Sequence, residues 1–135
     1  MMSSQLLYES IDPTTYLALA EELANRSDVA SRRTAADRIY YAAFLTSRDQ
    51  LASKNYLTPH NTTEDHQYVT ETLKKVLGTV GNDERILRNA RNCINYDTRG
   101  LHRGIMSVRS LKWMIDTASE IIHKVEALPH NSSKN

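Results

Sequence analysis

Ala35, Ala36, Ile39, Tyr40, Ala43, Phe44, Ser47 and Leu51 recur at three- and four-residue intervals through "AADRIYYAAFLTSRDQL". Only a helix gathers such a set on one side. The spacing predicts one long helix, capped by Ser27 or Asp28 and running to about Ser53, whose inner face is unbroken. Small residues dominate that face and let partner helices approach closely, so this is the expected central helix of the core.

The same period extends along the chain. Asp12 followed by Pro13 reads as a helix start, and Tyr16, Leu19, Ala20 and Leu23 form a buried stripe as far as about Arg26. "NYLTPHNTT" interrupts the pattern as a loop. Thr63, with Glu64 and Asp65 after it, suits the start of a third helix that buries Val69, Leu73, Val76, Leu77 and Val80. Gly78 and Gly81 bracket its expected end, and Asn82 or Asp83 starts a fourth helix with Ile86, Leu87, Ala90, Cys93 and Ile94 inside. A last helix repeats Ile105, Val108, Leu111, Ile115, Ala118, Ile122 and Val125 until Pro129. Four glycines and three prolines in 135 residues leave few further breakpoints. The expectation is therefore all-α: a four- to five-helix up-and-down bundle, one domain over 1–129 with a disordered tail over 130–135.

Charge narrows the function. The formal net charge is only +1, so the whole molecule lacks the basic excess of a general nucleic-acid binder. Its distribution is uneven, however. Arg85, Arg88, Arg91, Arg99, Arg103 and Arg109 face one acid, Asp97, in the span that they define, whereas Glu9, Asp12, Glu21 and Glu22 open the chain without a base. An anion-binding surface is expected from the C-terminal half. The single cysteine, Cys93, excludes an internal disulfide, and no paired Cys or His spacing marks a zinc site. With neither a signal-like start nor an apolar run of membrane length, the expected setting is cytoplasmic, away from membranes.

"LRNARNCINYD" (87–97) concentrates the candidates. Arg88, Arg91, Asn92 and Asn95 share one side of a helix by spacing. Guanidinium forks match phosphate oxygens and carboxamides suit sugar or base edges, so these residues, with Arg99 beyond the helix, form a candidate phosphate or RNA face. The competing reading is a solvated face whose arginines pair with acids of the first helix. Among the histidines, His102 beside Arg99 and Arg103 is the candidate for acid–base chemistry. His66, in the first turn of the third helix, reads as facing solvent. Tyr40 and Tyr41 read as core and flank, with hydroxyls finding partners at the rim. No serine–histidine motif, glycine-rich phosphate loop or buried carboxylate pair supports a familiar enzyme class.

Two segments together carry a family resemblance. "AADRIYYAAFLTSRDQL" (35–51) resembles the long core helix of HEPN domains (higher eukaryotes and prokaryotes nucleotide-binding), and "LRNARNCINYD" resembles their late helix. The resemblance covers about residues 13–127. It implies a helical bundle, often homodimeric, belonging to toxin–antitoxin or other prokaryotic defence modules and acting on RNA, with no cofactor. It also implies a partner, a minimal nucleotidyltransferase, in place of or beside RNA. Active relatives are similar to metal-independent ribonucleases that use an arginine, a polar neighbour and a histidine after four to six intervening positions.

Here the pattern places Arg91 as the arginine and Asn92 as its neighbour, but Tyr96 stands at the histidine position. Metal-free RNA cleavage needs a group to take the 2′-hydroxyl proton. A tyrosine's pKa would have to fall by about three to do so at pH 7, a cost on the order of 4 kcal/mol. The expectation is accordingly a binding protein using Arg88, Arg91, Asn92, Asn95 and Arg99, with Asp97 orienting an arginine. The alternative is a ribonuclease in which Arg91 stabilises charge and Tyr96 or His102 moves protons.

Overall fold

A computed structural model describes residues 9–99 and 108–132 of the chain. Among them are five helices and no strand: α1 (Thr15–Ala24), α2 (Val29–Ser53), α3 (Asp65–Leu77), α4 (Thr79–Tyr96) and α5 (Val108–Glu126). The fold is the expected all-α arrangement. No helix among the described residues is long and apolar enough to cross a membrane.

α2 is the hub and packs on α1, α5, α4 and α3. Its eight stripe residues are all buried, and so are Ala42 and Thr46, which lie off the stripe. A helix enclosed by four others must bury more than one face, and alanine is the residue that permits close approach on each side. Asp28 starts α2 as expected: its Oδ2 accepts the Ser31 amide at 2.9 Å, and that bond holds the carboxyl below its usual range. Around α2 the core is completed by Leu73, Leu87, Ile94, Leu111, Met114, Ala118, Ile121 and Val125. Met114 and Ile121 extend the apolar stripe of α5 beyond the residues named from its period.

The end of α2 is tied to the end of α5. Asn55 takes φ +66°, and the Tyr56 amide donates back to Leu51 O at 2.8 Å, a left-handed helix stop. Lys54 Nζ then donates to the last carbonyls of α5, Val125 O at 3.0 Å and Glu126 O at 2.8 Å, which have no partner within their own helix. Pro129, the last residue of the expected domain, docks here together with His130 and Asn131. Tyr56 Oη donates to Pro129 O, and the Asn131 amide donates to Lys54 O, both at 2.8 Å.

Two helix starts differ from expectation. α3 begins at Asp65, and no side chain caps it; Thr63 contributes its carbonyl to the His66 amide instead. The Asp65 carboxylate turns back to the preceding loop and accepts the amides of His60 and Asn61 at 2.9 and 2.8 Å. Burial alone would raise its pKa, but those two amides, together with the nearby positive charges of His60 and Arg48, hold the group below its usual range. α4 begins at Thr79, not at Asn82 or Asp83. Gly78, at φ +59°, is the whole joint between α3 and α4, a conformation open to glycine because it lacks a Cβ. Gly81 lies within α4, where a Cβ would stand 2.5 Å from the Lys74 backbone nitrogen.

Candidate functional site

The position of α4 against α2 decides which of its side chains matter. Glu84, Leu87 and Ile94 are buried while Ile86 is exposed, so the helix is rolled relative to the face read from its apolar residues. Glu84 lies three and four residues before Leu87 and Arg88, and Arg91 lies three and four residues after Arg88 and Leu87 and three before Ile94, which puts the five on a common side. Arg88 and Arg91 are therefore half-buried against α2 rather than displayed on the far face. Apolar counting missed this because a fully buried glutamate occupies a core position.

Aromatic rings seat Arg91. Its Cζ stands 4.8 Å from the Tyr40 ring centroid and 5.5 Å from that of Tyr41. Such cation–π contacts contribute ~0.5–2 kcal/mol as water is excluded. Asp37 supplies the nearby charge, with Oδ1 3.9 Å from Arg91 Nη1, and the same Oδ1 accepts from Asn95 Nδ2 at 3.3 Å. Asp37 also pairs with Arg38, whose guanidinium lies 4.9 Å from the Tyr41 ring centroid and 5.2 Å from that of Tyr16. Among the described residues the acid paired with Arg91 thus comes from α2, and not from the first helix as the competing expectation had it. Arg88 enters no ion pair within 4 Å among the described residues.

Behind the arginines lies a polar cluster that the sequence reading passed over. His66 is half-buried and stacked on Phe44, with ring centroids 4.1 Å apart. Its Nδ1 is 2.5 Å from Tyr40 Oη. Desolvation, then the positive charges of Arg91 and Arg88, lower its pKa, so the imidazole is neutral at physiological pH. Burial pushes the Tyr40 phenol well above its usual value, with the Glu84 carboxyl adding to the shift. Glu84 is itself fully buried. Desolvation raises its pKa against the opposing contact with Thr70 and the charge of Arg88. Thr70 Oγ1 makes two contacts, one to Glu84 Oε2 and one of 2.9 Å to the His66 carbonyl.

His66 also lines a cleft of about 430 Å³ between α2 and the loop before α3. Tyr41, Phe44, Arg48, Asn61 and Asp65 form much of the rest of its wall. Arg48 is half-exposed there and pairs with Asp49 at 3.1 Å. Arg48 from α2 and Arg88 and Arg91 from α4 all lie near enough for their charges to act on this imidazole, and of the three Arg48 lines the cleft. Among the described residues, no group of three or more His, Cys, Asp or Glu is gathered where a metal could sit.

The remaining sequence candidates differ in burial. Asn92 is half-buried, and Arg99 is exposed in the turn after α4. Tyr96 is 83% exposed. It follows Arg91 by five positions, which at about 100° per residue turns it to a different side of the helix. Asp97 is buried at the end of α4. His102 lies outside the described residues. The signal that could have revealed His66 was its place across a loop from an aromatic stripe ending in Phe44, where a ring is more readily stacked than solvated.

No family model, no curated protein and no solved structure matches this chain.

Proposed function

We propose that this chain is a HEPN-like protein that binds RNA or a nucleotide phosphate through the arginine and asparagine face of α4. The observation that carries the reading is the seating of Arg91. Ring faces and a single 3.9 Å ion pair hold its guanidinium, so most of its N–H donors remain uncommitted and are aimed by packing rather than used up by it. Arg88 beside it adds a second charge without an ion pair, and phosphate is the ligand whose oxygens match two such forks.

Binding of a single-stranded oligoribonucleotide across a salt series tests this. Log affinity should fall with log salt, by a slope of about 0.7 per phosphate neutralised. The Arg88→Ala, Arg91→Ala double variant should lose most of the affinity and about one to two phosphates' worth of slope. Binding that is indifferent to salt and to both substitutions would end the proposal.

A metal-independent ribonuclease is the second reading, and the neutral imidazole of His66 beside Arg91 favours it. Cleavage in excess chelator that disappears in Arg91→Ala would support it. Family resemblance adds a homodimer, a defence module and a minimal nucleotidyltransferase as partner. Mass measurement in solution and co-purification with that enzyme test those points separately.

A further inference from the structure

Tyr40 decides which nitrogen of His66 carries the imidazole proton. Its side chain is fully buried, and its hydroxyl makes one hydrogen bond, the 2.5 Å contact with His66 Nδ1. Burial keeps the phenol protonated, and a buried O–H without an acceptor costs stability. Nδ1 is the acceptor that the structure gives it. A ring nitrogen that accepts carries no proton, so in the neutral imidazole the proton sits on Nε2.

The consequence falls in the cleft between α2 and the loop before α3, which His66 lines and Tyr40 does not. Nε2 makes no hydrogen bond among the described residues and is not one of the buried polar atoms left without a partner, so its N–H is open to a ligand. Tyr41, Phe44 and Arg48 follow one another on α2 at steps of three and four residues and face the same cleft. His66 stacks on Phe44, and Arg48 stands one turn beyond that ring, about 6 Å along the helix. Asp49 Oδ1 accepts from Arg48 Nε and Nη2, both at 3.1 Å, whereas Nη1 makes no hydrogen bond among the described residues.

The rest of the wall is compatible with an anion. Asp65 is the acid there, but it is buried and its two oxygens accept the amides of His60 and Asn61. Thr62 and Thr63 are exposed, and their hydroxyls make no hydrogen bond among the described residues. Tyr41, Phe44 and Leu45 supply apolar surface against which a sugar or base can rest.

We infer that this cleft is a second phosphate site, in which His66 Nε2–H and Arg48 donate to the oxygens of one phosphodiester of a bound oligonucleotide while Arg88 and Arg91 hold another. The inference rests on the phosphate-binding reading for its ligand, but it shares no residue with the α4 face and can fail alone. A phosphodiester fits better than a carboxylate, because its tetrahedral oxygens can meet donors that arrive from two different helices. One guanidinium beside one uncharged N–H also answers the single charge that a phosphodiester carries.

The first test uses the unmodified protein at pH 8. Imidazole ¹⁵N shifts should place the His66 proton on Nε2, and inorganic phosphate should move the Nε2 resonance together with the side-chain resonances of Arg48. The second measures affinity for an oligouridylate across a salt series. Arg48→Gln keeps the side chain long but removes its charge, and should reduce the slope of log affinity against log salt by about 0.7, one phosphate's share. His66→Phe keeps the stack on Phe44 and removes an uncharged donor. It should weaken binding about fivefold at every salt concentration and leave the slope unchanged.

A proton on Nδ1 would overturn the inference, as would inorganic phosphate that leaves both sets of resonances in place. So would an Arg48→Gln slope equal to that of the wild-type protein while the Arg88→Ala, Arg91→Ala double variant loses its share. Each of these results leaves the α4 proposal to its own test. A glutamate peptide of equal charge that binds as tightly as the oligouridylate, and loses as much in Arg48→Gln, would overturn the choice of phosphate. Binding of no oligonucleotide would remove both proposals. The ¹⁵N and phosphate measurements need no variant, so a misfolded His66→Phe would not shield the inference.

Discussion

Asp37 Oδ1 and Arg91 Nη1 face each other across the α2–α4 interface at 3.9 Å, too far apart for a hydrogen bond and near enough for their charges to act. Asp37 steadies the guanidinium and competes for it at the same time.

Asp37→Asn should therefore improve anion binding. Removing the competing charge is expected to raise affinity for single-stranded RNA roughly threefold to tenfold, on the order of 1 kcal/mol. Arg91 remains seated on Tyr40 and Tyr41, so stability should change by no more than about 1 kcal/mol. Binding titration with urea denaturation alongside checks both. A loss of affinity would mean that Asp37 orients Arg91 more than it competes.

Glu84 gives a prediction with a sign. Its carboxyl pKa is raised in the fold, so its contribution to stability is fully present below the ordinary value of about 4.5 and drains away as pH rises through the raised value. Glu84→Gln cannot ionise and should gain on the wild-type protein as pH rises. Glu84→Ala leaves a cavity and removes the partner of Thr70, and should cost about 2–4 kcal/mol. Urea denaturation of the three proteins between pH 4 and pH 8 would show whether the Gln curve diverges in this direction.

His66 acts in the opposite sense. Its pKa is lowered in the fold, so its contribution is present above the unfolded value of about 6.5 and is lost as pH falls through the folded one. The melting temperature of the wild-type protein should drop between pH 7.5 and pH 5 by more than that of His66→Phe. Parallel curves would show that the imidazole is not held neutral by its surroundings.

The joint between α3 and α4 should resist substitution at both glycines. Gly81→Ala would bring a Cβ within 2.5 Å of the Lys74 backbone, overpacking expected to cost about 1–3 kcal/mol. At Gly78 there is open space, but the backbone stands at φ +59°, so Gly78→Ala should cost about 1–3 kcal/mol through strain alone. Thermal or urea unfolding reads both, and a neutral Gly81→Ala would show that the two helices can slide apart.

The helices were legible because their apolar residues repeat over many turns. Asp28 and the stripe from Ala35 to Leu51 stand where period and capping place them. The start of α4 was not legible, since two glycines three positions apart look alike in sequence and only their backbone angles distinguish the turn from the close packing. The arginines were found by composition, but their surroundings were not. Asp37 lies on another helix, Glu84 occupies a position that apolar patterning reserves for hydrocarbon, and His66 reaches Tyr40 across 26 residues of chain. Contacts of that range come from how helices pack, which one helix's period does not encode.

Because Gly78 is all that separates α3 from α4, α4 inherits its rotational phase directly from α3. One residue gained or lost at that point would turn every later side chain of α4 by about 100° around its axis. Leu87 would leave the core, and Arg88 and Arg91 would swing off the tyrosines. The arginine face can consequently diverge through exchange of one residue for another, whereas a change of length at this joint would dismantle it in a single step.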